Sequence, residues 1–279
     1  MTETLSRHGP FRCRTKWFAE RPAARDGAGL VSYVQCACTE PRLGFVRQPF
    51  FTKLIDLRLP EAELLAGLSK GARYKIQRAR REGVACSFDE TVDAYLRFHR
   101  QVAPTATPKA GTLTSFRPGS GTACVTAAKG PDGTTLAMHC YLCDPGRARV
   151  RLWYSASRYT VEQSSDDRNL VGRANRLLHF EEMLRFKAQG YLTYDLGGYS
   201  MDKSDAKKQS INRFKDDLGG TLVAESNYHS YPYHVAQALA RLAAWGRDLA
   251  RGRPRAAARD DSPTPVPDLG GDALSAPNR

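Results

Sequence analysis

The chain has 279 residues, of which 41% are hydrophobic and 25% are charged, and its net charge is +13. This composition is ordinary for a soluble globular protein with one large domain or two small ones. No apolar run approaches the ~20 residues that a membrane-spanning helix needs. The positive charge predicts attraction to polyanions such as nucleic acid, an anionic membrane surface or phosphorylated metabolites, although solvated cationic faces would give the same total.

The cysteines and the N-terminus bear on the compartment. Seven scattered cysteines favour reduced thiols over a disulfide framework. The first residues contain no apolar signal core, so we expect a cytoplasmic protein. Cys140-x-x-Cys143 could serve a zinc ion only with Cys36-x-Cys38, whose spacing is unsuitable, and we expect no metal.

The first half of the chain predicts strands followed by helices. Three strands are expected between residues 11 and 58, and Pro60 opens a helix with acidic residues in its first turn. Ser69 can cap a second helix over 70–82, which Gly83 ends. A short strand over 84–88 precedes a helix over 90–102, and the Pro, Thr and Gly content of 104–119 predicts a loop.

The second half predicts a meander and a crossover helix. Strands over 122–130, 136–144 and 149–157 are joined by turns at Pro131-Asp132-Gly133 and Pro145-Gly146. A Gly-containing loop over 168–174 then leads into one long amphipathic helix. The remaining elements, in chain order, are a strand over 191–196, a polar loop over 199–206, a helix containing 211–218, a strand over 221–228, a helix over 235–250 and a disordered tail over 251–279.

The predicted loop at 168–174 has the composition of a phosphate cradle. Free backbone N–H groups at a helix start favour an anion, and Gly172 with the small Ala174 would allow its close approach. Arginines crowd the same segment. The candidate carrier-binding residues are Arg168, Asn169, Gly172, Arg173, Ala174 and Arg176.

The helix over 70–82 is unusually cationic. Six Lys and Arg residues leave only a thin apolar stripe, and like charges three and four positions apart repel one another. The helix is interpreted either as a docking surface for phosphates of a substrate or of tRNA, or as a solvated face. Candidate substrate-binding residues are Lys70, Arg73 and Arg78 here, and Arg213 and Lys215 further along the chain, where simple surface charges are the alternative.

Three stretches carry a family resemblance: LSKGARYKIQRARREGV (68–84), LHFEEMLRFKAQGYLTYDLGG (178–198) and INRFKDDLGGTLV (211–223). Together they resemble Fem-type aminoacyl transferases of the GNAT acyltransferase superfamily, over roughly residues 50–230. The resemblance implies a mixed, mostly antiparallel sheet flanked by helices, which binds an acyl carrier beside the crossover helix. It also implies acyl transfer to an amine or hydroxyl group.

The chain departs from that family in two respects. Fem-type enzymes usually carry two lobes, whereas this chain has room for one complete GNAT-like lobe and a reduced N-terminal β piece. The expected organisation is a β-rich segment (1–59), an acyltransferase domain (60–234), a basic helix (235–250) and a tail (251–279). Asn169 stands where the standard coenzyme A loop opens with Gln or Arg, so the donor stays open between acyl-CoA and aminoacyl-tRNA.

Acyl transfer needs a base, a polarised carbonyl and an acid for the leaving group. His139, on a predicted central strand, is a candidate base, with a structural histidine as the alternative. Asp195, at the end of a strand beside two glycines, is expected to orient the acceptor or act as base, or to be a turn residue. Tyr199 could protonate the leaving group, and His179 is expected to be structural or to contact the acceptor.

Three functions therefore remain. The first is an N-acyltransferase that uses acyl-CoA to acylate an amino group of a phosphorylated sugar or lipid-linked cell-envelope or polysaccharide precursor. The second is aminoacyl-tRNA-dependent transfer, and the third is a non-catalytic nucleic-acid-binding module, which the lack of interleaved aromatic residues weakens. Peripheral membrane contact through the basic terminal helix is an additional possibility.

Overall fold

The computed structural model describes residues 1–8, 11–104, 108, 113–115 and 121–250. Its ten strands form one sheet in the order β1-β2-β3-β10-β4-β9-β8-β7-β6-β5. The strands are β1 (Glu3–His8), β2 (Phe11–Trp17), β3 (Val31–Cys36), β4 (Phe45–Asp56), β5 (Ala85–Glu90), β6 (Thr122–Lys129), β7 (Thr135–Asp144), β8 (Arg149–Ser157), β9 (Thr193–Gly198) and β10 (Thr221–Ser230). The helices are α1 (Glu61–Ala66), α2 (Lys70–Arg81), α3 (Val92–Val102), α4 (Ser165–Ala188), α5 (Ala206–Asp217) and α6 (Tyr231–Ala250).

The sheet is mixed and mostly antiparallel, as predicted. Only β2–β3 and β8–β9 pair in parallel among the described strands. β10 lies between β3 and β4 and pairs with β4 from Thr221 opposite Leu54 to Ser230 opposite Phe45. Strands of the predicted N-terminal segment and of the predicted acyltransferase domain therefore share one sheet, and the division at residue 59 stays a prediction.

The parallel pair β8–β9 is short. It runs from Arg149 opposite Thr193 to Arg151 opposite Asp195. Beyond that point β8 stays paired with β7 as far as Ser157, whereas β9 stays paired with β4 as far as Gly198. The two strands diverge after Asp195, and a sheet that opens between parallel strands leaves a crevice at their carboxyl ends.

Both faces of the sheet are covered. One core holds the apolar sides of α2, α4 and α5, with residues such as Ile76, Phe180 and Phe214. On the other face α3 packs over Trp17 and Trp153. Helices on both faces of a largely antiparallel sheet make the α/β architecture that the element pattern predicted.

Helix α4 begins earlier than the sequence suggested, so the predicted loop over 168–174 is wrong. Ser164 caps the helix, because its Oγ accepts a hydrogen bond of 3.0 Å from the Asp167 amide. Asp166 and Asp167 occupy the first turn, where the helix dipole favours acidic side chains. This start signal outweighs the modest free-energy cost of Gly172, which lies inside the helix two turns further on.

Other predicted elements agree with the structure or differ from it in where they begin. Helix α2 is capped by Ser69 as expected, with a 3.0 Å bond from the Ala72 amide to its Oγ. β1 was not predicted, and α6 begins four residues earlier than expected. Most of the predicted loop over 104–119 and the whole tail over 251–279 lie outside the described residues.

Gly220 and Gly133 form a matched pair for testing the close approach of the backbone at Gly220 to β4. Both adopt a positive φ, +81° and +80°, but a Cβ at Gly220 would lie 2.7 Å from the Leu54 carbonyl oxygen, whereas a Cβ at Gly133 would meet nothing within 4 Å. We expect Gly133→Ala to cost only the left-handed strain of about 1–2 kcal/mol. Gly220→Ala is expected to cost at least about 3 kcal/mol because the β4–β10 pair must also shift. Urea denaturation measures both, and equal losses would contradict the close approach.

Candidate active site

Asp195 lies at the point where β8 and β9 diverge, and it is fully buried. Its Oδ2 accepts hydrogen bonds from Arg149 (Nη2, 2.6 Å) and Gln35 (Nε2, 2.8 Å). Its Oδ1 accepts from the Gly197 amide at 2.8 Å and from the Thr52 hydroxyl. The carboxylate thus joins β3, β4, β8 and β9.

The ionisation of Asp195 follows from these partners. Burial opposes the charge, but the guanidinium groups of Arg149 and Arg151 and the hydrogen bond from Thr52 lower the pKa of Asp195 overall. An ionised carboxylate whose oxygens already accept several hydrogen bonds is better suited to positioning than to taking a proton. Its catalytic role stays a prediction.

A second carboxylate shares the same arginine. Arg149 donates to Glu225 on β10 (Nη1 to Oε1, 2.7 Å), and Gln35 donates to the other oxygen at 3.0 Å. Burial raises the pKa of Glu225, against the opposing effect of Arg149. Gln35 itself adopts a positive φ of 55°. Sequence reasoning missed all three residues, and its one available signal was a charged pair, Arg149 and Arg151, inside an otherwise apolar strand.

Arg151 is a buried cation with free donors. Its side chain is 1% exposed, and its Nε and Nη1 have no hydrogen-bond partner among the described residues. The guanidinium carbon lies 5.4 Å from the centre of the Trp17 ring, and burial lowers the pKa of Arg151. Unpaired buried N–H groups are costly.

A cavity of about 400 Å³ opens beside the end of β9. Part of its wall is apolar, which suits binding of a small molecule. Gly198 and Tyr199 line it, so the structure brings one predicted catalytic residue to a cavity. The lining residues come from β4, the loop after β9, α5 and β10: Gln48, Pro49, Phe50, Phe51, Gly198, Tyr199, Ser200, Met201, Asp202, Lys208, Ile211, Asn212 and Asn227.

Tyr199 is held at this wall by Asp216. Its hydroxyl donates to Asp216 Oδ2 at 3.1 Å, and the Lys53 ammonium bonds Oδ1 of the same carboxylate at 2.7 Å. Burial, followed by the charge of Asp216, raises the pKa of Tyr199. The phenol therefore keeps its proton at neutral pH, as a proton donor must.

Lys215 is fully buried, although a simple surface charge was one interpretation of the sequence. Its Nζ donates to the carbonyl oxygen of Gly198, a residue of the cavity wall. Burial lowers the pKa of Lys215 to about 7, against the opposing effect of Asp195. Arg213, two positions earlier, is exposed, so the structure separates these two predicted substrate-binding residues.

His139 faces α4 inside the core, away from solvent. Its Nδ1 lies 2.9 Å from Glu182 Oε1, and its Nε2 lies 2.8 Å from Asn175 Oδ1. Because both ring nitrogens are engaged in a fully buried network, this geometry favours the structural interpretation. The catalytic role of His139 stays a prediction.

The same network contains the one group of potential metal ligands among the described residues. Ligand atoms of His139, His179 and Glu182 lie within 4.8 Å of one another. Glu182, however, already accepts hydrogen bonds from His139 and from three hydroxyls, those of Thr126, Tyr141 and Tyr194. Burial, and then His139, keep the pKa of His179 well below its usual value. The hydroxyl donors satisfy this carboxylate, and the donor set fits a hydrogen-bonded core better than a cation.

The predicted carrier-binding residues lie on consecutive turns of α4 rather than in a loop, so their amides belong to the helix. Their arginines are engaged within the chain. Arg168 donates to the carbonyl oxygens of Glu162 and Gln163, and Arg173 to Glu82. Arg176 donates to the Gly172 carbonyl and to Asp217, and Ala174 is buried in the core. The expected cradle of free amides is therefore absent from this segment.

Some of these residues still meet the cationic helix. A cavity of about 180 Å³ between α2 and α4 is lined by Tyr74, Lys75, Arg78, Asn169, Gly172 and Arg173. Glu82 accepts from Arg78 (2.8 Å) and from Arg173 (2.7 Å). Lys70 is exposed, and Arg73 donates to the carbonyl oxygens of Ala66 and Leu68 at the end of α1. Substrate and carrier binding by these residues stay predictions.

The structure is similar to solved transferase structures. FemX matches with a TM-score of 0.56 and 11% identity, covering 85% of this chain and 86% of FemX. The C-terminal DUF2156 domain of a putative lysylphosphatidylglycerol synthetase from Agrobacterium fabrum matches with a TM-score of 0.50 and 16% identity, covering 85% and 82%. This chain has the GNAT-type fold of the Fem-type transferases.

The resemblance read from the three sequence stretches is thus confirmed for the fold. No protein-family model matches the sequence, and comparison with curated proteins finds no significant relative.

Replacing Asp195 tests the network at the divergence of β8 and β9. Asp195→Asn removes the charge that faces Arg149 and Arg151, and we expect a loss of about 3–5 kcal/mol in the free energy of unfolding, typical of a broken buried ion pair. Asp132→Asn, in an exposed turn where the carboxylate bonds Thr134, is the control and should change little. Urea denaturation measures both, and a similarly small loss in both variants would contradict the network.

Replacing Lys215 tests its burial. The unfolded chain keeps the ordinary pKa of 10.5, whereas the folded pKa is about 7, so the unfolded state binds more protons between these values and stability rises with pH across that window. Below pH 7 the cost of the buried ammonium is complete. Lys215→Met should therefore be more stable than wild type by about 2–4 kcal/mol below pH 7.

The advantage of Lys215→Met should shrink as the pH rises towards 10.5. Denaturation curves of both proteins across this range give the difference directly. A constant difference between wild type and variant at all pH values would contradict the lowered pKa.

Proposed function

We propose that this protein is an aminoacyl transferase that moves an aminoacyl group from tRNA to an amino group of a cell-envelope precursor. The observation that carries the proposal is the buried Lys215, with a pKa of about 7, bonded to the wall of the cavity beside β9. The GNAT-type fold shared with FemX supports a transfer reaction by analogy.

Lys215 supports the first step of such a transfer. An acceptor amine is mostly protonated at neutral pH and must lose a proton before its lone pair attacks the carbonyl carbon. A base with a pKa near the working pH is the most effective proton acceptor. In the proposed reaction the amine releases one proton to solvent, approaches Gly198 and attacks the carbonyl carbon. Lys215 accepts the second N–H proton as the new C–N bond forms.

Tyr199 supports the second step. When the tetrahedral intermediate collapses, the C–O bond to the carrier breaks and the leaving oxygen needs a proton. Tyr199 lies on the cavity wall, and its phenol, whose ordinary pKa of 10.0 is raised further, stays protonated at neutral pH. It can donate that proton and be reprotonated from solvent, to which the Lys215 ammonium releases the proton it accepted.

The charges around α4 favour tRNA over coenzyme A as the carrier. The free amides of α4 lie at its start, where Asp166 and Asp167 would repel a diphosphate. Arg173 and Arg176, which the sequence suggested as ligands of that diphosphate, are paired within the chain. The net charge of +13 and the exposed cations of α2, such as Lys70 and Arg81, suit a polynucleotide backbone.

Acyl-CoA is the second candidate donor, and the small cavity between α2 and α4 favours it. Lys75, Arg78 and Arg173 line this cavity, whose volume of about 180 Å³ has room for one phosphate group. For either donor, the acceptor would be an amine on a phosphorylated sugar or lipid-linked precursor. Lys208 in the large cavity wall and the exposed Arg213 are candidate contacts for its phosphates.

The experiment incubates the purified protein with charged total tRNA or with a panel of coenzyme A esters, each with amine acceptors, and follows the product by mass spectrometry. We expect a new amide from charged tRNA only, and its loss after ribonuclease treatment. Lys215→Met should lower the transfer rate at least about 100-fold, whereas Lys207→Met, an exposed lysine on the same helix, should keep it.

The other outcomes are equally specific. Transfer from a coenzyme A ester that resists ribonuclease would select the second donor. Binding of nucleic acid with no transfer from either donor would contradict catalysis altogether. Equal rates for both lysine variants would contradict the role of Lys215.

A further inference from the structure

Helix α6 has one face on the sheet. Tyr233, Ala236 and Gln237 are buried, and the Tyr233 ring stacks on His229 of β10 with 5.1 Å between ring centroids. The Tyr233 amide also donates to Ser230 Oγ at 3.2 Å. This face fixes the helix to the protein.

The opposite face of α6 is an exposed apolar stripe. Five large side chains on it are 50 to 59% exposed. They follow one another at steps of four, four, three and three residues, which keeps them on one side of a helix over a length of about 21 Å. The stripe consists of Tyr231, Val235, Leu239, Leu242 and Trp245.

Positive charge accompanies the stripe. Arg241 is exposed on the same helix. The sequence from 247 to 261, RDLARGRPRAAARDD, adds five arginines and three aspartates. A helix with an apolar face bearing Trp and Leu and a cationic surrounding has the composition of helices that lie in the interface of anionic bilayers.

We propose that α6 docks on an anionic lipid bilayer, with the stripe in the headgroup region and Arg241 facing lipid phosphates. Trp245 and Tyr231, at the two ends of the stripe, are the residue types that anchor such helices at interfaces. The net charge of +13 favours this occupant over a second copy of the chain, since like charges repel. No described helix is long and apolar enough to cross a membrane.

The proposal does not depend on the transfer reaction, but it has a geometric link to the large cavity. Asn227 of β10 lines that cavity, and Tyr231 begins α6 four residues later, about 13 Å along the strand. A bilayer that covered the stripe would therefore lie close to the cavity. A lipid-linked acceptor is compatible with this arrangement.

Vesicle flotation of the full chain tests the docking. We expect binding to phosphatidylcholine vesicles containing about 30 mol% phosphatidylglycerol, little binding to phosphatidylcholine alone, and weaker binding as salt rises. Trp17 and Trp153 are buried whereas Trp245 is exposed, so a blue shift of tryptophan emission on binding would report on the stripe.

Two double variants test whether vesicle binding depends on the stripe or on exposed apolar residues in general. Leu239→Glu with Leu242→Glu should lower the bound fraction at least about tenfold. Leu43→Glu with Leu222→Glu, which changes two exposed leucines elsewhere, should bind like wild type. Thermal unfolding of both variants without vesicles should match wild type, because neither pair is buried.

Three results would overturn the proposal. Wild-type protein that ignores anionic vesicles contradicts it directly. A concentration-dependent dimer that the stripe variant abolishes would assign the stripe to a second copy. A stripe variant that unfolds at a lower temperature than its control would mean that the chain's own residues cover the stripe.

Discussion

The buried ionic network around Asp195 holds the centre of this sheet together. Arg149 joins the carboxylates of Asp195 and Glu225, and Gln35 bonds both. Thr52 of β4 also donates to Asp195, so five strands share one set of hydrogen bonds. Buried charges are tolerated only when they are paired and hydrogen-bonded. The place where β8 and β9 separate is therefore fixed by electrostatics, and the position of Gly198 in the cavity wall depends on it.

This network and the lowered pKa of Lys215 have a common origin. Asp195 is already paired with Arg149, so its attraction for the Lys215 ammonium does not offset the effect of burial on the pKa of Lys215. The protein thus keeps one amine near its neutral form, beside a carboxylate that stays charged. Groups driven to different charge states by their surroundings are a common property of active sites. Arg151, on the same strand as Arg149, is a further buried cation near this carboxylate, and two of its N–H groups have no partner among the described residues.

Much of the fold was readable from local signals, because caps, turns and alternation act over a few residues. Ser69 and Gly83 marked the boundaries of α2 correctly. The start of α4 was missed because Gly172 was given more weight than the cap at Ser164. Gln35 and Glu225 were not found since their partners are distant in sequence, and a local pattern carries no such information. The burial of Lys215 follows from packing of α5, which the cationic composition concealed.

The position of β10 has a consequence for how the chain is made. β10 is the last strand of the described residues, yet it separates β3 from β4, which belong to the first 56 residues. During N-to-C-terminal synthesis the early strands must wait with open edges until residue 230 leaves the ribosome. Completion of the sheet is therefore a late, long-range event, of the kind that slows folding and exposes intermediates to aggregation or chaperone capture.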